Sequence, residues 1–383
     1  MLPKALKPEV SFSRVVFNDL KGWEKDIQGL ALQTFKKSCV SFSRQPQNRS
    51  VSPSRVGGRV KDWLNACQEA DNINDENHSQ ARGFFETHFT PLQISTKGGS
   101  SGLLTGYYEP IIEGSFLETE EARVPLYSRP KNLVTVNLGL FRSDLKGRRV
   151  AGKISNGQLR PFESRTEIEG GALSGKGLEL IWVKDPVDAF FLHIQGSGRI
   201  KLPDGTMQMV GYAGPNGHPY TSLGILMRNR DLLQPDNISM KSIKSWLRDN
   251  PELGTDLMRE NASYIFFRLL KGEGPIGSQG VELTGGRSLA VDREELPLGA
   301  PIWLSGTKPS SDDPTNTQEP FERLMVSQDT GGAIRGSLRG DVFWGLGDEA
   351  EKMAGYMANF SEFYILLPND LATKVLGEVS KGG

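Results

Sequence analysis

The stretch Val326-Ser-Gln-Asp-Thr-Gly-Gly-Ala-Ile-Arg-Gly-Ser-Leu-Arg-Gly-Asp341-Val-Phe-Trp-Gly-Leu-Gly347 places two aspartates, Asp329 and Asp341, in a glycine-rich run beside apolar and aromatic residues. Leu324–Ser327 and Val342–Trp344 read as short strands on either side of a turn-rich segment. A carboxylate set among glycines and close to a tryptophan is open to a ligand yet poorly hydrated. Poor hydration raises a carboxyl pKa, which suits general-acid work.

Outward from this stretch the β pattern continues in Tyr264–Phe267, Ser288–Val291, Pro301–Leu304 and Phe363–Leu367, with one helix at Glu349–Ala358. Ser310–Glu319 is polar and reads as a surface loop. Earlier, Leu178–Val183 and Ala189–Ile194 read as strands. From Tyr220 to about Asn261 the pattern is helical, with Ser239 as N-cap of Met240–Leu247 and Pro251 opening the next helix. The first hundred residues read as helical over Asp19–Lys37, Arg59–Ala70 and Ala81–Phe89, with a loop at Ser41–Gly58. The order helical, β, helical, β suggests an α+β protein, mainly β with helical additions, in which a middle domain is inserted into another.

Composition narrows the function. The 383 residues suffice for two or three domains. With 44 Gly, 22 Pro and only 37% hydrophobic residues, a turn-rich β protein fits better than a helical bundle. The net charge of -1 speaks against nucleic acid as a partner. His78, His88, His193 and His218 are scattered, so no metal and no cofactor are expected. Cys39 and Cys67 show no C-x-x-C spacing, and pairing or two free thiols both stay open. No apolar run approaches the roughly 20 residues of a membrane helix. The start shows neither a signal-peptide core nor a lipid-attachment cysteine. This fits a cytosolic chain or a mature chain without its leader.

Two further clusters carry ligand chemistry. Gly102-Leu-Leu-Thr-Gly-Tyr-Tyr-Glu-Pro110 offers Thr105, Tyr107, Tyr108 and Glu109. Adjacent tyrosines on a strand point to opposite faces, so one can stack on a ligand and the other fill the core. His193-Ile-Gln-Gly-Ser-Gly198 and Gly211-Tyr-Ala-Gly-Pro-Asn-Gly-His-Pro-Tyr220 add Gln195, Gly196, Ser197, Gly198, Tyr212 and Tyr220. Glycines admit close approach to the backbone, and an amide both donates and accepts. Together the clusters suggest a polysaccharide groove. The lone Asp329-Thr-Gly331 does not make an aspartic protease, which needs two such loops. Gly345-Leu-Gly347 before a helix lacks the further βαβ unit of a dinucleotide fold.

Taken in order, Thr105–Pro110, Ile194–Gly198, Tyr212–Tyr220, Tyr264–Phe267, Gln328–Gly336 and Asp341–Gly347 resemble the membrane-bound lytic murein transglycosylase A family. The C-terminal part is similar to the three-aspartate domain, with Asp292, Asp329 and Asp341 on its three acids. The resemblance implies a double-psi β-barrel domain built from residues 1–106 and 261–383, with N-terminal helices. It also implies an inserted substrate-binding β domain, 107–260, and a groove between the two. It implies non-hydrolytic cleavage of the β-1,4 bond between N-acetylmuramic acid and N-acetylglucosamine, leaving 1,6-anhydromuramyl ends. Asp341 matches the single catalytic acid, supported by Asp329 and Asp292. Thr105, Tyr107, Tyr108, Glu109, Gln195, Gly196, Ser197, Gly198, Tyr212, Tyr220 and Trp344 are expected at the substrate.

A single acid suffices when the sugar's own C6 hydroxyl is the nucleophile, because the same residue serves first as acid and then as base. Trp344 and its neighbours are expected to keep Asp341 protonated. Arg335 and Arg339, which flank it, are expected to face solvent or the substrate's carboxylates. The family also implies peptidoglycan strands as partner, with cell-wall synthesis or division proteins beside it, a monomeric state, and a periplasmic or outer-membrane location. Two other readings remain. One is an inverting hydrolase using Asp329 and Asp341 together, which needs carboxyls roughly 6.5–9.5 Å apart. The other is a non-catalytic glycan-binding module.

Overall fold

Eight strands form one sheet in the computed structural model, which describes residues 10–145, 148–234, 239–272 and 274–379. Their order is Val10–Arg14, Phe89–Thr96, Ala358–Pro368, Pro301–Pro309, Gln318–Asp329, Ser288–Val291, Arg339–Leu346 and Ser101–Glu109. Ala358–Pro368 also pairs with Ser101–Glu109, Ala358 standing opposite Thr105. Six of the strands therefore close into a barrel. Closure removes the unpaired edges that an open sheet would offer to other chains.

The period-2 alternation of side chains decides what fills the barrel. Leu104, Leu289, Val342 and Phe363 are fully buried. Three of them converge on Gly340, where an added Cβ would lie 2.9 Å from Leu104 and 3.1 Å from Leu289. Burying each such side chain contributes about 2–3 kcal/mol.

Contact density divides the chain into two compact units. The first is Met1–Tyr107, Ile276–Gly345 and Lys352–Gly383, and it holds the barrel. Its helices Gln28–Ser43, Lys61–Asp71 and His78–His88 bury a shared apolar side. On the first of these, Ala31, Leu32, Phe35, Cys39 and Phe42 recur at helical spacing and are buried. Phe35 meets Phe89 edge-on at 5.5 Å.

Cys39 and Cys67 are joined in a disulfide across 28 residues, tying the first helix to the second. Closing a loop of that length lowers unfolded-chain entropy by an amount worth about 3–4 kcal/mol. The double variant Cys39→Ser/Cys67→Ser is therefore expected to melt several degrees lower by calorimetry. An unchanged melting temperature would contradict this.

The second unit is Tyr108–Pro275 with Leu346–Glu351. Its six-stranded sheet runs Ile265–Leu269, Met207–Pro215, Ser197–Lys201, Ile111–Ser115, Glu179–Val183, Val124–Tyr127. A bridge between Ser128 and Phe267 brings the two ends of that sheet together. A three-stranded sheet of Leu133–Asn137, Arg149–Ser155 and Gln158–Arg160 adjoins it. Its helices include Leu223–Asn229, Met240–Asp249 and Pro251–Arg259, and Ser239 caps the second of these by accepting from the Ser242 N–H at 3.2 Å.

Several expected elements differ. Ala189–Ile194 lies inside a helix, Pro186–Gln195. Asp185 caps it by accepting from the Val187 N–H at 2.7 Å, Pro186 opens it, and Gly196 closes it at φ 81°. Ala189–His193 are five consecutive buried residues, so the apolar run carries no helical period to read. The first long helix begins at Gln28 rather than Asp19, after two 3-10 turns, and runs on to Ser43. The strands Val10–Arg14 and Phe89–Thr96 were not expected within the helical first hundred residues.

Candidate active site

Ala290 fixes the placement of the two acids. It stands opposite Asp341 on an antiparallel neighbour and opposite Asp329 on a parallel one. Residues opposite one another across a sheet share a face. The register of the parallel pair shifts here, Leu289 facing Ser327 and Ala290 facing Asp329, and this bulge turns Asp329 to the side of Asp341, their backbones about 10 Å apart across two strand spacings. The alternating residues Leu289 and Val342 fill the barrel, so the acids stand on its outer face.

Thr105 and Tyr107, two residues apart on Ser101–Glu109, share a side of their strand. Thr105 Oγ1 donates to Asp341 Oδ1 at 2.6 Å, and the Tyr107 hydroxyl donates to Asp329 Oδ2 at 2.9 Å. Gly106 between them faces the other way, where a Cβ would lie 2.7 Å from the Trp344 ring. Trp344 packs there on Phe321 at 5.8 Å and donates its N–H to Met357 sulfur at 3.3 Å. Its expected place beside the acid belongs instead to Phe343, whose ring lies 5.2 Å from that of Tyr107. A strand puts Asp341 and Phe343 on one side and Trp344 on the other.

These surroundings set the electrostatics. Burial pushes the Asp341 carboxyl up to about 6, against the opposing pull of the Thr105 hydroxyl and the Arg339 charge. The nearby Asp329 charge adds to the upward shift. Burial also raises Asp329, but donors oppose it. Its Oδ1 accepts from the Ser278 N–H at 2.9 Å, the Ser278 hydroxyl at 2.8 Å and the Thr330 N–H at 2.8 Å. With Tyr107 on Oδ2, Asp329 is an acceptor surrounded by donors. The Tyr107 phenol is held well above its usual range by burial and by both carboxylates.

Arg339 does not face solvent as expected. It donates to Thr105 Oγ1 at 2.8 Å and toward the Leu103 carbonyl at 3.4 Å. The resulting chain runs from Arg339 through Thr105 to Asp341. Arg335 is exposed and donates to the carbonyls of Gly331 and Ile334. Asp292 is nearly buried and ties two loops, accepting from the Gly336 N–H at 2.8 Å and the Glu294 N–H at 3.1 Å.

The remaining candidates lie in the second unit. Tyr108 is only 1% exposed and accepts from Lys244 Nζ at 3.2 Å. Glu109, also 1% exposed, pairs with Arg199 at 3.1 Å. Both were expected at the substrate, and burial leaves neither surface for a ligand. Gln195 accepts the Tyr108 N–H at 3.1 Å. Gly196 and Ser197 lead into the strand Ser197–Lys201, where a Cβ on Gly198 would lie 2.5 Å from Leu192. Tyr212 and Tyr220 are exposed and available for stacking.

Sequence reading missed Ser278, Thr330, Phe343 and Asn216. Ser278 sits 51 residues from Asp329, and only the fold joins them. Fully buried Asn216 holds the Pro215–Tyr220 loop, donating to the Glu163 and Ala262 carbonyls and accepting from the Tyr264 N–H, each at 2.9 Å. Among the described residues no cluster of His, Cys, Asp and Glu could hold a metal ion.

Residues 103–268 match the MltA specific insert domain, and residues 287–367 match the 3D domain. The chain is 32% identical over 281 residues to the membrane-bound lytic murein transglycosylase A of Vibrio cholerae, covering 72% of this chain and 69% of the relative. The crystal structure of a membrane-bound lytic murein transglycosylase from Agrobacterium tumefaciens superposes with a TM-score of 0.84 at 35% identity, covering 95% of this chain and 99% of that one. The monoclinic form of MltA from Neisseria gonorrhoeae gives 0.79 at 34% identity, covering 96% of each chain. On these matches, and with Asp341 and Asp329 inside the 3D domain, the chain belongs to the membrane-bound lytic murein transglycosylase A family.

Proposed function

We propose that this protein is a peptidoglycan lytic transglycosylase with Asp341 as its single acid and base. The observation that carries the proposal is a carboxyl raised to about 6 beside a hydrogen-bond donor, Thr105, on an outward barrel face. Protonated Asp341 gives its proton to O4 as the C1–O4 bond breaks. Its carboxylate then takes the proton of the C6 hydroxyl while that oxygen bonds to C1. The acid ends protonated and no water is consumed. Thr105 donates to the carboxylate formed midway, stabilising it until the second proton arrives. Intramolecular attack supplies the nucleophile at high effective molarity.

Asp329 serves as support in this reading. Four donors already occupy its oxygens. Hydrogen bonds to a carboxylate weaken it as a base toward water, which disfavours the inverting pair. Tyr212 and Tyr220 would stack on sugar faces, and Gln195 would hold the strand that carries Tyr108 in place. The closed six-strand ring, with Ser288 paired in parallel to Val326, supports a double-psi barrel. The Cys39–Cys67 disulfide favours an oxidising compartment, in keeping with a periplasmic enzyme. Glycan strands are its substrate, and it would work as a monomer beside cell-wall synthesis or division proteins.

The pH profile tests the assignment. A general acid must be protonated, so turnover is expected to be level below pH about 6 and to fall tenfold per unit above it. Thr105→Val removes a donor that favours the carboxylate, so its alkaline limb is expected at higher pH than that of the wild type. A limb that does not move, or moves toward acid, would contradict the contact. On purified sacculi, soluble fragments should appear without new reducing N-acetylmuramic ends. An equivalent rise in reducing ends would refute the lytic reaction.

A further inference from the structure

The second unit holds a tyrosine beside two arginines that no carboxylate among the described residues neutralises. Tyr212 is 51% exposed on the strand Met207–Pro215. The pairing of that strand with Ile265–Leu269 shifts between Tyr212 and Gly214, and such a bulge re-aims a side chain. Gly214 has φ 146°, and a Cβ there would lie 3.0 Å from Arg129 Nε. The Arg129 guanidinium therefore lies against the strand backbone two residues from Tyr212.

Register brings Arg149 to the same side. Leu133, Thr135 and Asn137 alternate along one face of their strand, and Lys153, Ala151 and Arg149 stand opposite them. On that face Arg129 Nη2 donates to the Leu133 carbonyl at 2.7 Å and toward Thr135 Oγ1 at 3.4 Å. Ala151 and Ala213, the residue after Tyr212, pack against the same buried cluster. Both arginine charges reach the Tyr212 phenol: burial raises its pKa, and Arg129 and Arg149 oppose the rise.

Both guanidiniums are exposed. Arg165, Arg199, Arg230, Arg248 and Arg259 of the same unit are each paired with a carboxylate, unlike these two. Among the described residues only Nη2 of Arg129 is engaged with the fold, so its other nitrogens remain available as donors. Guanidiniums hold planar carboxylates through paired N–H donors, and a tyrosine ring stacks on the apolar face of a sugar. A tyrosine with two free guanidiniums beside it fits a sugar that carries a carboxylate close by. N-Acetylmuramic acid is such a sugar, through its lactyl group or the peptide attached to it, whereas N-acetylglucosamine carries none. We propose, resting on the reading of peptidoglycan as the substrate, that Arg129 and Arg149 bind a carboxylate of the muramyl substituent and so select muramyl strands over neutral glycans.

The test is titration calorimetry on the full chain carrying Asp341→Asn, which keeps the ligands intact. Three soluble ligands of equal length are compared: muramyl strands with peptide stems, the same strands stripped to the lactyl carboxylate, and a neutral N-acetylglucosamine oligomer. Adding R129Q/R149Q is expected to weaken binding of at least one muramyl ligand about tenfold, as two exposed charge pairs would give, and to leave the neutral oligomer unaffected. R129K/R149K should recover part of the loss, and added salt should reproduce it. R149Q alone removes no contact within the described fold, so a loss of about threefold from it separates recognition from folding. A deficit on the stripped strands names the lactyl carboxylate as the ligand, and one confined to the stem-bearing strands names the peptide. In the otherwise wild-type enzyme R129Q/R149Q should raise KM on that ligand about tenfold with kcat unchanged. Unchanged affinity for both muramyl ligands, an equal loss on the neutral oligomer, or a fall in kcat at constant KM would overturn the proposal. A failure of the lytic reading would show elsewhere, as reducing ends released from sacculi, and would leave these affinities as they are.

Discussion

Asp341→Asn is expected to lower turnover on sacculi by roughly 10⁴-fold, because in the proposed mechanism one residue supplies both proton transfers and each such transfer is worth about 10²–10⁴. The same variant is expected to be more stable than the wild type at pH 7.5. The folded carboxyl titrates at about 6, above its ordinary value of about 3.9. Folding therefore disfavours the carboxylate. Stability from this group is fully present below pH about 4 and is lost as pH rises toward about 6. Above that, the asparagine variant gains up to about 2 kcal/mol, reduced by the part of the residue that remains open to water. Calorimetry across pH 3–8 checks it: the melting difference should vanish at the acid end. A variant less stable at pH 7.5 would mean that Asp341 is held as a carboxylate, which contradicts its role as resting acid.

The largest stability effect lies elsewhere in the barrel unit. Arg287 meets Asp26 through two nitrogens, each at 2.8 Å, with the side chains 5% and 4% exposed. Asp26 also accepts the Leu324 N–H at 2.9 Å, and Arg287 donates to the Leu324 carbonyl at 2.9 Å. The pair pins the N-terminal segment to the strand Gln318–Asp329 and to the residue before Ser288–Val291. Asp26→Ala would leave a guanidinium buried without its countercharge, which costs about 3–5 kcal/mol. Urea unfolding should show that loss. Asp26→Ala/Arg287→Met should recover part of it, because no unpaired charge then remains. A loss below about 1 kcal/mol in the single variant would show that the pair is held too loosely to matter. Since Ala290 sits in register with both acids, Asp26→Ala should also reduce activity near its melting temperature.

Much of the site was legible from local spacing. Asp341 and Asp329 stood out because glycines and aromatics surround them, and the structure places both on one face. The alternation rule correctly sent Tyr107 and Tyr108 to opposite sides. The same rule, applied to Asp341 and Trp344, would have removed Trp344 from the acid's side. Ser278 and Arg339 were not legible. Ser278 reaches Asp329 only through barrel closure, and Arg339 reads as a surface charge until Thr105 is placed beside it. In the fold, Ala189–Ile194 misled because five consecutive buried residues, Ala189–His193, leave no polar position inside the run to set its period. Phe89–Thr96 was hidden because it follows a helix directly, with no turn residue between.

The central claim is that Asp341 needs no water partner because the substrate supplies its own nucleophile. Digestion of purified sacculi in isotopically heavy water, followed by mass spectrometry of the released muropeptides, measures this directly. Anhydromuramyl ends, lighter than the hydrolysed product by one water and free of heavy oxygen, are the predicted result. Reducing N-acetylmuramic ends carrying heavy oxygen would contradict it.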